Sequence, residues 1–125
     1  MAWHLAEIDY YMGSGVANRS FANEKKSAEI ERPRAIGELA PRYKRVHENT
    51  VERLKGLEDS NLDETIGFFD GSPMPIRHIL WGAVVNHLIH HRGQLILMSR
   101  MAGGKPPGIY GPNREESDAM RAASA

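Results

Sequence analysis

The stretch from Pro75 to Met101 constrains this chain more than any other, because its apolar side chains recur at steps of three and four over a length that suits one long helix. At about 100° per residue, Leu80, Val84, His87, His91, Leu95 and Met98 fall in one narrow arc, the face expected to be buried. Trp81, Val85, Ile89 and Ile96 form a second arc on the far side, leaving a narrow polar strip with Asn86, Gly93 and Arg100. A helix that is apolar on two sides needs neighbours on two sides. The second arc therefore predicts cover by another subunit, as in a homodimer. Pro75 suits a first helical turn, and Gly103-Gly104 supplies a left-handed stop.

Within this helix, His87 and His91 are four residues apart, so their rings project from the same side, in the middle of the face expected to be buried. Neutral imidazole is the commonest protein ligand for zinc and its neighbours, and two rings are half of a tetrahedral site. The chain has no cysteine, which excludes disulfides, thiolate ligands and a cysteine nucleophile. Any metal site must draw on His, Asp or Glu.

Two further helices are expected upstream. The first runs from about Trp3 to Asn23 and contains Gly13-Ser14-Gly15, an interruption expected to bend it. A charged connector, Glu24 to Arg32, ends at Pro33. After it, Ile36, Leu39, Tyr43, Val46, Thr50, Leu54 and Leu57 recur at helical spacing, a strong amphipathic pattern. Strand signals are confined to Glu64 to Asp70 and Met74 to Ile76, which read as a small hairpin around Asp70-Gly71 that fastens the last long helix at its start. The fold class is thus all-α, three long helices with one short hairpin. Residues 1–112 are expected to form the helical domain and 113–125 a frayed or short-helical tail.

A chain of 125 residues carries one core, and its 16 basic residues balance 16 acidic ones. Net neutrality and the lack of a basic stripe speak against nucleic acid as a partner. No apolar run is long enough to span a bilayer, and the amino terminus lacks a secretory pattern, so no membrane association and a cytoplasmic location are expected.

The segment His87-x-x-His90-His91-Arg92-Gly93-Gln94-Leu95, with Arg100, Gly103 and Pro106-Pro-Gly-Ile-Tyr-Gly-Pro112 behind it, resembles the last helix of DinB-like proteins. Trp3-His4-Leu5-Ala6-Glu7-Ile8-Asp9-Tyr10 is similar to the start of that family's second helix. The resemblance implies an up-down helix bundle, with the family's first helix missing ahead of Met1. It also implies a divalent metal (Zn, Ni, Mn or Fe) held by one histidine of the second helix and a His-x-x-x-His pair of the last. Carried onto this chain, those ligands are His4, His87 and His91.

Glu7, one turn after His4, can face the metal, accept a hydrogen bond from a ligand histidine or serve as a base. Gln94, one turn after His91, can orient a ligand or a bound water. Read without the resemblance, His87 and His91 are a core pair hydrogen-bonded to neighbours, and His4 and Glu7 are ordinary surface side chains. His47 is expected to be a packed histidine with one hydrogen bond, His90 an exposed or supporting one, and Arg92 an ion-pair partner.

Three histidines leave an open metal position, so the resemblance points to an enzyme. Such an enzyme would hydrolyse a small substrate or transfer a low-molecular-weight thiol to an electrophile during stress. The rival expectation is a non-catalytic stress-response bundle that has lost metal binding.

Overall fold

The computed structural model describes residues 1–21 and 27–124. These fall into two units, Met1–His91 and Arg92–Ala125. The fold is an all-α bundle with one small hairpin, and no described helix is long and apolar enough to cross a membrane.

In the first unit, α1 (Ala2–Ala17) is the central element, apolar on two sides. Ile8, Met12 and Val16 join Phe21, Ile66, Ile76 and Ile79 in one buried cluster. Trp3 and Ala6 join Ile30 and Val46 in a second, where the Trp3 indole N–H donates to the Ile30 carbonyl at 3.0 Å. Full burial of side chains such as Val16, Ile76 and Ile79 contributes about 1.5–3 kcal/mol each.

The expected end of α1 at Asn23 lies outside the described residues, but the helix already stops at Ala17. Arg19 adopts a left-handed backbone, φ 56°. Its N–H donates to the Val16 carbonyl at 3.2 Å, and the Ser20 N–H donates to the Gly15 carbonyl at 2.9 Å. This is a Schellman stop with arginine in the place usually taken by glycine.

Gly13 and Gly15 do not interrupt α1. They let neighbours approach it. A Cβ at Gly13 would land on the Thr50 side chain, and one at Gly15 on the Phe21 ring.

Helix α2 (Leu39–Leu54) follows a single 3₁₀ turn, Ile36–Glu38. Pro41 falls in its first turn, where the missing N–H has no helical partner to lose. Val46 and Thr50 are its buried residues, packed toward α1. Ile36 lies outside the expected apolar face and is 85% exposed, because the helix has not begun there.

Strands β1 (Thr65–Gly67) and β2 (Pro73–Pro75) pair antiparallel with Ile66 opposite Met74. The loop turns at Gly71, φ 79°, where the Asp70 carboxylate accepts from the Ser72 backbone N–H at 2.9 Å. The Ile76 N–H donates to the Glu64 carbonyl at 2.9 Å and so pins the next helix to the hairpin. That helical run is not uniform. It begins as α3 (Ile76–His78), widens into a π-helical segment (Ile79–Asn86) and continues as α4 (His87–Met101). Trp81, Val85 and Ile89, members of the second apolar arc, are exposed.

In the second unit, α4 stops at Gly103, φ 81°, with the Gly104 N–H donating to the Ser99 carbonyl at 2.8 Å. Met98, placed by its arc on the buried face, is exposed. Residues 113–125 include a helix, α5 (Arg114–Ala123), whose capping box pairs the Asn113 side chain with the Glu116 N–H at 2.8 Å. Arg100 makes a two-point contact with Glu115 that holds this carboxyl down at about 2. Arg92 does not find a carboxylate among the described residues. It donates to the Tyr110 hydroxyl at 3.1 Å and lies over that ring.

Candidate metal centre

The centre is assembled within the first unit, by the start of α1 and the opening turn of α4. His4 sits in the first turn of α1, held in place by its neighbour Trp3, which is only 4% exposed. His87 and His91 open α4 on one side of it, one turn apart. One nitrogen from each of His4, His87 and His91 lies within 4.8 Å of the others, and all three side chains are half-buried. The Nε2 atoms of His87 and His91 are 2.7 Å apart. The His4 ring meets His91 edge-on at 4.8 Å between centroids and His87 at 5.7 Å.

The electrostatics favour the ligating form. Burial, followed by the nearby imidazoles of His91, His4 and His90, pushes the His87 pKa below its ordinary value. An imidazole in such surroundings stays neutral, with a lone pair to donate. His4 Nδ1 lies 3.4 Å from Glu7 Oε2, a long contact between half-exposed groups.

The structure therefore brings together His4, His87 and His91, with Glu7 at the back of His4. Gln94 is half-buried on α4 within the second unit. His90 is exposed, its ring edge-on to His91 at 5.1 Å.

His47 lies outside the centre. Its Nδ1 meets Asp9 Oδ2 at 2.7 Å, the hydrogen-bonded histidine expected on α2, although the ring is half exposed rather than packed. Asp9 is the residue that sequence reasoning missed. It is 2% exposed among apolar neighbours on α1, and the Thr50 hydroxyl also donates to its backbone carbonyl at 3.4 Å. Its signal was available as a carboxylate between Ile8 and Tyr10 on the apolar side of α1, facing a helix that offers one histidine on its own apolar side.

Burial raises the Asp9 pKa, against the lowering effect of the His47 hydrogen bond and charge. Between the unfolded value near 3.8 and the higher folded one, the folded chain holds a proton that the unfolded chain has lost. The contribution of Asp9 to stability therefore falls as pH rises through that window and grows on acidification, opposite to the usual carboxylate. Urea midpoints of the wild type and Asp9→Asn at pH 7 and at about pH 4.5 check this. The wild type should gain stability relative to Asp9→Asn at the lower pH, and a wild type that loses ground to the variant there contradicts the assignment.

The DinB family profile matches residues 1–122. The chain is 32% identical over 117 residues to the uncharacterized protein YrdA of Bacillus subtilis, an alignment covering 93% of this chain and 67% of that protein. It superimposes on the crystal structure of a DinB-like protein from Bacillus cereus with a TM-score of 0.68 at 32% identity, covering 87% of this chain and 70% of the other. A profile match over nearly the whole length, a relative of this identity and a shared helical fold lead to one conclusion: the chain belongs to the DinB family.

Proposed function

We propose that this protein is a divalent-metal-dependent enzyme that holds Zn, Ni, Mn or Fe on His4, His87 and His91. Its reaction is the hydrolysis of a small substrate or the transfer of a low-molecular-weight thiol to an electrophile. The observation that carries the reading is the convergence of three imidazole nitrogens within 4.8 Å, from two helices far apart in sequence. The donor set fits such an ion, since imidazole is a borderline ligand suited to these metals and a three-histidine set is typical of catalytic sites. A metal so bound supplies Lewis acidity and lowers the pKa of a water or thiol beside it.

The chain's own residues do the rest. Glu7 takes the Nδ1 side of His4, which orients the ring and leaves Nε2 for ligation. The same carboxylate borders a cleft of about 570 Å³ lined also by Tyr11, Ser27, Ala28, Ile30, Glu31 and Arg32, a size suited to a small molecule. In the thiol reaction the sulfur must arrive with the cosubstrate, because the chain has no cysteine.

Elemental analysis of untagged protein, stripped with chelator and reloaded, tests the proposal. One equivalent of metal per chain is expected, and no retained metal overturns it in favour of a bundle without a metal. Glu7→Gln should keep the stoichiometry but weaken affinity about 10-fold, the lower end of the effect of losing a supporting hydrogen bond. A competition titration against a chromogenic chelator measures it, and an unchanged affinity removes Glu7 from the centre.

A further inference from the structure

We propose that the π-helical segment Ile79–Asn86 is the positioning device of the histidine centre: it takes up one residue more than an α-helix would, and so turns His87 and His91 toward α1. An i→i+5 turn is wider than an α turn, with about 4.4 residues and roughly 80–85° per residue. Ile79 gives the inward reference, because it is fully buried in the same cluster as Ile8, Met12 and Val16 of α1. In a uniform α-helix His87 would stand about 80° from Ile79 and His91 about 120°, both turned off the α1 side. Through the π segment His87 comes to roughly 40° from Ile79, and His91 nearly into line with it.

Burial along the segment carries the same phase. Leu80, Ala83, Val84 and Leu88 pack against the core cluster, while Trp81, Gly82, Val85 and Asn86 are exposed. A uniform α-helix would set Gly82 and Asn86 beside Ile79, facing the core, and turn Leu88 about 180° away from it. At the π step, the buried residues share one side and the exposed residues the other. His90 and Ile89 fall on the exposed side and His91 on the buried one, as observed. The register of the segment thus decides which imidazoles meet His4.

The seam can be removed. Gly82 is exposed, and nothing lies near its missing side chain, so its deletion costs no packing contact. The shortened segment can close as an α-helix while keeping His87 and His91 at the same phase to Ile79.

The inference rests on the metal-centre reading for its function, and the test separates the two. Intact chain, the Gly82 deletion and a chain with Ala inserted between Gly82 and Ala83 are titrated with Co(II) and followed by circular dichroism and the visible d–d spectrum. The deletion should fold and bind one equivalent with an unchanged spectrum and affinity within about 3-fold. The insertion should weaken binding at least 10-fold. A folded deletion that loses the Co(II) spectrum, or an insertion that keeps it, overturns the inference.

Through-hydrogen-bond NMR couplings on the intact chain decide the register without any variant. Correlations from the Val84 amide to the Ile79 carbonyl support it, and correlations to the Leu80 carbonyl overturn it. If the intact chain binds no Co(II), the metal reading fails, and the couplings still judge the register on their own.

Discussion

His87→Ala should abolish the metal site while leaving the fold in place. The imidazole lies 2.7 Å from its partner on His91 and within reach of His4, so its loss removes one of three donors and leaves two on different helices. Affinity should fall by more than about 100-fold, beyond the range seen when only a supporting hydrogen bond is lost. Stability of the metal-free protein should change by less than about 1 kcal/mol, because the side chain is only half-buried and sits among like groups that disfavour its charged form. Competition titration and urea denaturation of the same sample measure both effects. Full metal retention by the variant means that the three rings are a packing cluster and not a ligand set. His91→Ala should behave alike, whereas His90→Ala, on an exposed ring, should leave affinity within about 2-fold of the wild type.

Gly13→Ala should destabilise the fold by about 1–3 kcal/mol, although glycine to alanine inside a helix ordinarily gains about 1 kcal/mol. The new methyl would overlap Thr50 Cγ2, and Thr50 is a buried, β-branched residue fixed on α2. The two helices would have to separate along the contact that also holds Asp9 and His47. Thr50→Ser removes the clashing methyl and keeps the hydroxyl that donates to the Asp9 carbonyl. The double variant should therefore recover most of the loss, and a double-mutant cycle in urea reads the coupling. Additive effects would mean that the α1 to α2 approach at Gly13 is not tight.

Much of this architecture is legible in the residues because local chemistry and global packing agree there. The Gly103-Gly104 stop, the Asp70-Gly71 turn and the amphipathic repeat of α2 each announce themselves by residue type. The end of α1 does not. The same hydrogen-bond pattern that closes α4 at Gly103 closes α1 at Arg19, where arginine takes a conformation that its side chain disfavours. That arginine is held by an exposed contact with Glu64 at 2.6 Å and by its own donation to the Val16 carbonyl, neither of which sequence spacing displays. In the same way Gly13 and Gly15 read locally as helix breakers, whereas their role is set by Thr50 and Phe21, distant in the chain.

The candidate site divides along the same line. His87 and His91 are visible as a pair on one helix face, and His4 joins them through resemblance, since no local pattern links position 4 to position 87. The uniform wheel groups both histidines with Leu80 and Val84 on one face. Yet it sets Ile79 about 100° from the Leu80 and His87 arc, while the structure buries Ile79 completely. A widened turn is set by what packs against both ends of a helix, so no periodicity count could supply it. Asp9 escaped for a related reason. A buried carboxylate becomes intelligible only when its partner, His47, is known to sit 2.7 Å away.

X-ray absorption at the metal edge of the reloaded protein tests the central claim most directly, because it counts and identifies the atoms bound to the ion. The account predicts an imidazole scattering pattern fitted by three nitrogen donors per metal, falling to two in His4→Ala. A fit with one imidazole or none, or a pattern unaffected by replacing His4, contradicts the assignment of His4, His87 and His91 as a single ligand set.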